Sequence, residues 1–329
     1  MNVTATSPAA DLTVVEQALR KAASAEGFDP AGAVLLSAGR THVFRLPRAV
    51  WKGSTGVVVK VHRKGSSRAA AQHCAIAYWA RSEGVLTPRP LRRQPVPAHG
   101  HPVSFWEDLG DGQPASPEQL ADVLNDLHSL PVPPPFLGVP VYQPLTDLHV
   151  RVRTLPRTLV KPAIQSHLLH ELGILGHWWN EVRWPTRPGV IHAGLSPREI
   201  RAGTSGPAVL DLADLAVGQP MVDLTAVAVQ HELYTEDDPF SDVQDEAEAA
   251  YQAFCRAYGV DVTSYAGGRP HRMLRWLHVL DGCIAAFERA ATAETWKVEA
   301  DYRLSCVQGQ EGSFPWHWRT LTEMVGAAR

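Results

Sequence analysis

Residues 190–224 interrupt the long helical stretches predicted for the second half of the chain. The segment reads VIHAGLSPREI from Val190 to Ile200, and after a GTSGP turn it continues with AVLDLAD. We interpret it as two short apolar strands joined by a tight turn, with polar side chains such as His192 and Asp211 where the apolar runs end. Because rigid scaffolds display catalytic and metal-binding side chains on such loops, this segment is the candidate functional site.

Composition limits the classes of protein to which the chain can belong. Its 329 residues are 45% hydrophobic and 20% charged, as in ordinary globular proteins, which predicts one large domain or two closely packed ones. The net charge of -3 argues against a nucleic-acid-binding protein, and no apolar run is long enough to span a bilayer. The start of the sequence shows no secretory signal, and four widely spaced cysteines without a CxxC pair predict reduced, buried thiols. We therefore expect a soluble, cytoplasmic protein.

The first third of the chain has the pattern of a small sheet with helices. Helical spacing predicts an opening helix from Leu12 to about Glu26 and a second helix from Ala69 to about Glu83. Short β-branched runs predict strands at Val34–Leu36, Val43–Leu46, Gly56–Val61 and Val103–Leu109.

The rest of the chain reads mainly as helices. Ser116 is the predicted N-cap of a helix from Pro117 to Leu130, and the PVPPPF run at 131–136 predicts an extended connector. Longer helices are predicted at about 163–182, 240–258 and 270–293. The coarse picture is a small β-rich half followed by a mainly helical half.

Segment 190–224 resembles the catalytic region of the aminoglycoside phosphotransferases and their choline-kinase-like relatives. Those proteins carry a catalytic loop of the form H-G-D-x-x-x-x-N, then I-D-F/L with a metal-binding Asp, and then G-D-P-x-x-D-L. The matching positions here are His192, Leu195, Pro197, Asp211, Gly218, Pro220, Asp223 and Leu224. The resemblance implies an α+β, protein-kinase-like fold of two lobes, with a β-rich N-lobe at 1–109 and a helical C-lobe at 110–329. It also implies that His192 braces the loop and that Asp223 hydrogen-bonds the loop backbone.

Upstream features follow the same order as in that family. Gly39 lies where the nucleotide loop is expected, Lys60 is in an apolar strand like the family's phosphate-binding Lys, and Glu107-Asp108-Leu109 matches the interlobe hinge, with Leu127-His128 after it. The resemblance implies that ATP or GTP with Mg²⁺ binds through these residues and Asp211. From the residues alone, Lys60 could instead be a surface lysine on an edge strand, and Asp211 could simply cap a turn.

Three positions depart from the family's pattern. Gly194 stands where the catalytic Asp is expected, Glu199 where the metal-binding Asn is expected, and His73 where the Glu that pairs with the Lys is expected. Glycine has no side chain and cannot act as a base. Glu199 is either a Mg²⁺ ligand or a solvated loop residue paired with Arg198 or Arg201, and Asp214 is a candidate displaced base.

Two main functions follow from these matches and departures. The leading hypothesis is a pseudokinase-like module that keeps a nucleotide site and acts by binding a ligand or a protein partner. The alternative is an active, non-standard phosphotransferase that modifies a small-molecule hydroxyl or a peptide Ser/Thr in a natural-product or resistance pathway. Its base would be Glu199, Asp214, a water or the substrate, and Ser196 and Arg198 lie on the side where the acceptor or the γ-phosphate is expected. A third possibility is a helical scaffold that binds no nucleotide.

Overall fold

The computed structural model of the chain describes residues 8–39, 41–52, 56–194, 199–203, 206–234, 243–314, 316–319 and 324. In chain order the elements are α1 (Pro8–Ala25), β1 (Val34–Ser37), β2 (Thr41–Leu46), β3 (Val57–His62), α2 (Ser67–Ser82), β4 (Val96–Ala98), β5 (His101–Glu107), β6 (Gln113–Pro114), α3 (Pro117–His128), α4 (Pro144–Thr154), α5 (Pro162–Glu181), β7 (Gly189–Ile191), β8 (Ile200–Gly203), β9 (Gly206–Val209), β10 (Ala216–Gly218), α6 (Met221–Tyr234), α7 (Val243–Tyr258), α8 (Arg269–Ala290) and α9 (Trp296–Val307).

An antiparallel sheet of five strands, in the order β1-β2-β3-β5-β4, forms the centre of the first compact unit. Side chains alternate between the two faces of a strand, so Val57, Val59 and Val61 of β3 share one face. That face is buried in an apolar cluster with Leu19 and other residues of α1. Burying a side chain such as Leu19, which is 1% exposed, stabilises the unit by about 1.5–3 kcal/mol.

The opposite face of the same sheet carries polar groups. Lys60 and His62 alternate with the buried valines of β3, and Lys60 is paired in register with Ser104 of β5. Helix α2 packs on this face, where Cys74 and Ala77 contact Trp106 and Val58. A polar strip is therefore enclosed between the sheet and α2.

The β8–β9 hairpin also belongs to the first unit. It pairs Ile200 with Val209, and β6 adds a third strand beside β8. The Thr87 hydroxyl donates a 2.7 Å hydrogen bond to the carbonyl oxygen of Val209. Because of such pairings, the first unit extends to Gln119 and includes residues 132–139 and 197–215, a different grouping from a division after Leu109.

Helices make up most of the second unit. Helix α8 packs against α5, α6 and α9, and its buried residues include Leu274, Leu277 and Ile284. Strands β7 and β10 form a short antiparallel pair in which Ile191 is opposite Ala216. Among the described helices, none is long and apolar enough to cross a membrane.

Most predicted elements are confirmed to within a few residues. Ser116 caps α3 as expected: its hydroxyl accepts the N–H of Gln119 at 3.3 Å, and the Gln119 side chain accepts the N–H of Ser116 at 3.0 Å. The extended connector predicted at 131–136 is wrong at its end, because Pro135–Leu137 form a 3-10 turn. The fixed φ of Pro135 suits the first position of such a turn, and Gly138 closes it with a φ of 61°. Sequence patterns did not identify α4, α6 or α9.

Candidate functional site

Three hydrogen-bonding side chains line the polar face of the sheet in the first unit. The Ser104 hydroxyl lies 2.8 Å from Nε2 of His62 and accepts a 2.8 Å hydrogen bond from the indole N–H of Trp106. The Lys60 ammonium lies over the Trp106 ring, 4.8 Å from its centroid. Lys60 is only 5% exposed, which excludes the alternative of a solvated lysine on an edge strand.

Asp211 meets Lys60 just after β9. Three donors surround its Oδ1 atom: Nζ of Lys60 at 3.4 Å, Nε2 of His73 at 2.9 Å and the backbone N–H of Ala213 at 3.0 Å. The bond from Ala213 shows that Asp211 does cap the turn, but the same carboxylate also binds the lysine. One ion pair thus joins β3 to the chain that leaves the β8–β9 hairpin.

Charge states in this cluster follow from its burial and its contacts. Burial alone would raise the pKa of Asp211, but the Lys60 charge and the His73 hydrogen bond lower it to well below its ordinary value. Burial and the Lys60 charge lower the pKa of His73. A carboxylate accepts only, so a neutral His73 must carry its proton on Nε2 and donate it to Asp211.

The same buried surroundings shift the pKa values of His62 and Cys74. Burial, with the nearby His73 and Lys60, lowers the pKa of His62 to about 4. Burial raises the pKa of the Cys74 thiol to about 11. All four cysteines are buried free thiols, as predicted.

Helix α2 brings His73 to this cluster because His73 lies on the helix's buried face. It shares that face with Ala70, Cys74 and Ala77, and its ring lies 4.8 Å from the ring of Trp106. The helix sequence SRAAAQHCAIAYWARS contains no acidic residue. Lys60 therefore has no carboxylate partner on α2, and its ion pair is with Asp211.

In the sequence, Glu199 precedes Asp211 and Asp214 follows it. The carbonyl of Glu199 accepts the N–H of Leu210 at 2.7 Å, which sets Glu199 beside the residue that precedes Asp211. The charge of Asp214 acts to raise the pKa of His73. Nowhere in the described ranges do three His, Cys, Asp or Glu side chains cluster in a way that could hold a metal ion. Metal binding by Asp211 and Glu199 thus stays a prediction.

The other predicted nucleotide residues occupy turns and strand ends of the first unit. Gly39 lies between β1 and β2, Glu107 is the last residue of β5, and Leu109 follows it. Asp108 between them is fixed by Nε of Arg45 at 2.8 Å, and a Cβ on Gly56 would lie 2.5 Å from its carboxylate. The roles of Gly39, Glu107 and Leu109 in nucleotide binding stay predictions.

In the second unit, Asp223 holds the start of the catalytic-loop-like segment. Its carboxylate is 1% exposed and accepts the backbone N–H of His192 and that of Ala193, each at 2.8 Å. Nε2 of His128 lies 3.1 Å from the same carboxylate, and Nδ1 of His128 lies 2.8 Å from the Tyr258 hydroxyl. These bonds confirm the structural role expected for Asp223.

The Asp223 carboxylate determines which atoms carry the protons in its contact with His128 and in the contact of His128 with Tyr258. Burial opposes ionisation of Asp223, but its hydrogen bonds with the His128 side chain and the backbone N–H of His192 lower its pKa overall. An ionised Asp223 accepts from His128, so Nδ1 of a neutral His128 accepts the Tyr258 proton. The chain Tyr258–His128–Asp223 therefore ends in two backbone N–H groups of the loop.

Ala193 takes up a backbone conformation that glycine adopts more easily. Its φ is 63°, in the left-handed region, at the position where the family motif has Gly. Gly194 follows it and is exposed. The next four motif positions, Leu195, Ser196, Pro197 and Arg198, lie outside the described residues.

Gly218 and Pro220 connect β10 to α6. A Cβ on Gly218 would lie 2.5 Å from Cδ1 of Ile191 and 3.0 Å from Cβ of Tyr142. Only glycine fits this close approach of β10 to β7. The motif glycine thus has a packing function at this position.

The match to a family model extends over residues 45–274, and that model describes the phosphotransferase enzyme family (APH). The chain belongs to this family. No curated protein matched the chain.

Solved structures of similar fold are kinases of small molecules. Amicoumacin kinase hAmiN, in complex with AMP-PNP, Ca²⁺ and Ami, aligns with a TM-score of 0.64 and 12% identity over 90% of this chain and 93% of its own. The GDP complex of aminoglycoside 2'-phosphotransferase-IIIa gives 0.60 and 15%, over 87% and 96% of the two chains. Aminoglycoside phosphotransferase APH(3'')-Id from Streptomyces rimosus gives 0.56 and 19%, over 82% and 98%. The TM-scores of these alignments confirm the predicted fold, an antiparallel N-lobe sheet with a helical C-lobe.

Several residues of the site were missed by the sequence analysis. His62, Ser104 and Trp106 could have been identified from their spacing, because Lys60-x-His62 on β3 and Ser104-x-Trp106 on β5 place these residues on the same face of the sheet as Lys60. Tyr258 carries no local signal, because it meets His128 from 130 residues away.

Proposed function

We propose that this protein binds a nucleotide but lacks ordinary phosphoryl transfer, and that it works as a binding or partner module. The observation that carries the proposal is Gly194, which stands at the catalytic-base position of the family's motif. The backbone at His192 and Ala193, just before Gly194, is anchored by Asp223, so the proposed loss concerns the side chain at this position rather than the support of the backbone before it.

Lys60 supports the nucleotide half of the proposal. Its ammonium lies over the Trp106 ring and beside the half-exposed Asp211 carboxylate, and a compact ammonium suits phosphate oxygens. The relatives described above were solved with GDP or AMP-PNP. ATP or GTP is therefore the nucleotide we propose, with Gly39, Glu107 and Leu109 near it.

The absence of a carboxylate at Gly194 determines how much catalytic rate we expect to be lost. A positioned general base contributes about 10²–10⁴ in rate, which corresponds to about 3–5 kcal/mol of activation free energy. Positioning and electrostatics supply most of phosphoryl-transfer catalysis. Nucleotide binding can thus survive a change that removes turnover.

Calorimetric titration with ATP and GTP in Mg²⁺ buffer tests nucleotide binding. Wild-type protein should bind at least one of them, and Lys60→Met should weaken binding at least about tenfold, a loss of about 1.4 kcal/mol. Lys297→Met is the matched control, because Lys297 is half exposed and forms a surface ion pair with Glu294. Thermal unfolding of both variants checks that they fold. No binding by the wild type, or equal binding by Lys60→Met, would refute the nucleotide site.

A second candidate function rests on Glu199. Its backbone carbonyl accepts the N–H of Leu210, one residue before Asp211, so Glu199 lies beside the chain segment that carries the proposed phosphate site. The protein would then be an active phosphotransferase for a small-molecule hydroxyl or a peptide Ser/Thr. Streptomycin and kanamycin are present in complexes of structurally similar proteins, and they are the first acceptors to test. A transfer activity abolished by Glu199→Gln, with nucleotide binding unchanged, would establish this function in place of the first.

A further inference from the structure

Three donors already surround one carboxylate oxygen of Asp211, the residue predicted to bind magnesium. A carboxylate oxygen has two lone-pair sites, yet Oδ1 of Asp211 is surrounded by Lys60, His73 and the N–H of Ala213 within 3.4 Å. Mg²⁺ demands near-ideal octahedral oxygen coordination at about 2.0–2.1 Å and loses its water reluctantly. A cation bound through Oδ1 would have to displace at least one of these donors.

Charge balance leads to the same result. Since α2 has no acidic residue, Asp211 is the carboxylate that neutralises the buried Lys60. A divalent cation would compete with Lys60 for that single negative charge.

The three donors also do what a cation would otherwise do for the phosphates. An anionic nucleotide beside a bare carboxylate is repelled, and a bound metal normally screens that repulsion. Here the ammonium of Lys60, the Nε2–H of His73 and the N–H of Ala213 all face the carboxylate and screen it from within the protein.

We propose that this protein binds its nucleotide without a divalent cation, and that His73 is the positioning residue that makes this possible by holding Asp211 against Lys60. The inference rests on the proposed nucleotide site and specifies how that site is charged. His73 occupies a buried position on α2, and its Nε2 atom lies 2.9 Å from Oδ1 of Asp211, so it can hold this carboxylate beside Lys60.

Calorimetric titration with ATP, once with excess Mg²⁺ and once with excess EDTA, tests this directly. The two dissociation constants should agree within about threefold, a difference of less than about 0.7 kcal/mol. Binding that requires Mg²⁺ would overturn the inference while leaving the nucleotide site intact. Absence of binding in both buffers would refute the nucleotide site and the inference with it.

Variants at His73 test the assigned cause. His73→Glu gives Lys60 a carboxylate on α2 and frees Asp211, so Mg²⁺ should then tighten ATP binding by at least about tenfold. His73→Gln keeps an N–H donor and should stay independent of Mg²⁺. His170→Glu, the same substitution at an exposed position of α5, is the control and should behave as wild type. A folded His73→Glu protein that stays independent of Mg²⁺ would overturn the role of His73.

Glu199 offers the competing explanation, a metal held at that carboxylate alone. Electron paramagnetic resonance of Mn²⁺ with ATP and wild-type protein distinguishes the two, whether or not the His73 variants fold. No protein-bound Mn²⁺ signal beyond that of the Mn²⁺–ATP complex in solution is expected. A bound signal in the wild type that disappears in Glu199→Gln would overturn the inference.

Discussion

Removal of the Asp223 carboxylate should destabilise the backbone at His192 and Ala193 and lower the protein's free energy of unfolding. In Asp223→Ala, the N–H groups of His192 and Ala193 lose their acceptor, and His128 loses the carboxylate 3.1 Å away. The position is 1% exposed, so water cannot replace these bonds without further opening of the structure.

The expected magnitude follows from the three contacts. Hydrogen bonds to charged groups are worth about 1.5–3 kcal/mol each, and breaking a buried charged pair from one side costs about 3–5 kcal/mol. We expect Asp223→Ala to lower the free energy of unfolding by about 3–5 kcal/mol. Asp223→Asn should cost less, because the amide keeps one acceptor oxygen, and His128 can change tautomer to accept from the amide N–H.

Urea unfolding of the wild type, both variants and the control Asp122→Ala measures these changes. Asp122 is exposed on α3, and its substitution should change stability by no more than about 0.5 kcal/mol. A loss below about 1 kcal/mol for Asp223→Ala would refute the reasoning, since it would mean that the loop N–H groups are satisfied without the carboxylate.

The pH dependence of the difference in unfolding free energy between the wild type and Asp223→Ala gives an independent check. The pKa of Asp223 lies below its ordinary value of 3.8 in the folded protein, so its stabilisation is fully present above about pH 5 and declines as the pH falls through the folded pKa. The stability gap between wild type and Asp223→Ala should therefore narrow on acidification below pH 3.8. A gap that widened there would contradict the assigned ionisation.

Three smaller predictions test the packing around the site. Ala193→Gly should raise stability by about 1 kcal/mol in urea unfolding, because φ is 63° at this position, and a loss of stability would contradict the assigned strain. Gly218→Ala should destabilise by about 1–3 kcal/mol through contact with Ile191, whereas Gly173→Ala, in α5 with nothing within 4 Å, should stabilise by about 0.5–1 kcal/mol; the reverse order would refute the packing argument. A thiol reagent at pH 8 should label the native protein slowly and should label all four cysteines after unfolding, because they are buried; fast native labelling would contradict this.

Local patterns predicted the sheet, α1, α2, α3 and the order of the site residues because each depends on short-range periodicity or capping. Helix α6 was missed since Val222, Thr225 and Val227 are β-branched, and its stability comes from packing against α8. The position of His73 was predicted from its spacing along α2. Its bond to Asp211 was not, because that contact joins residues 138 positions apart.

The loss of the catalytic carboxylate was visible in the sequence, and its structural setting was not. Nothing local to Gly194 indicates that Asp223, from the first turn of α6, holds the loop in place. Likewise, the sequence shows that α2 has no acidic residue, but it does not show that Lys60 pairs with Asp211 instead. Long-range pairs of this kind depend on how the elements pack.

Phosphoryl transfer by the wild type and by Gly194→Asp tests the central claim most directly. With radiolabelled ATP and a panel of aminoglycosides, hydroxyl compounds and Ser/Thr peptides, the wild type should bind nucleotide yet show no transfer above the protein-free background. Gly194→Asp, which restores a carboxylate at the base position, should raise any transfer or ATP hydrolysis by about 10²-fold or more. Efficient transfer by the wild type that Gly194→Asp fails to increase would contradict the account.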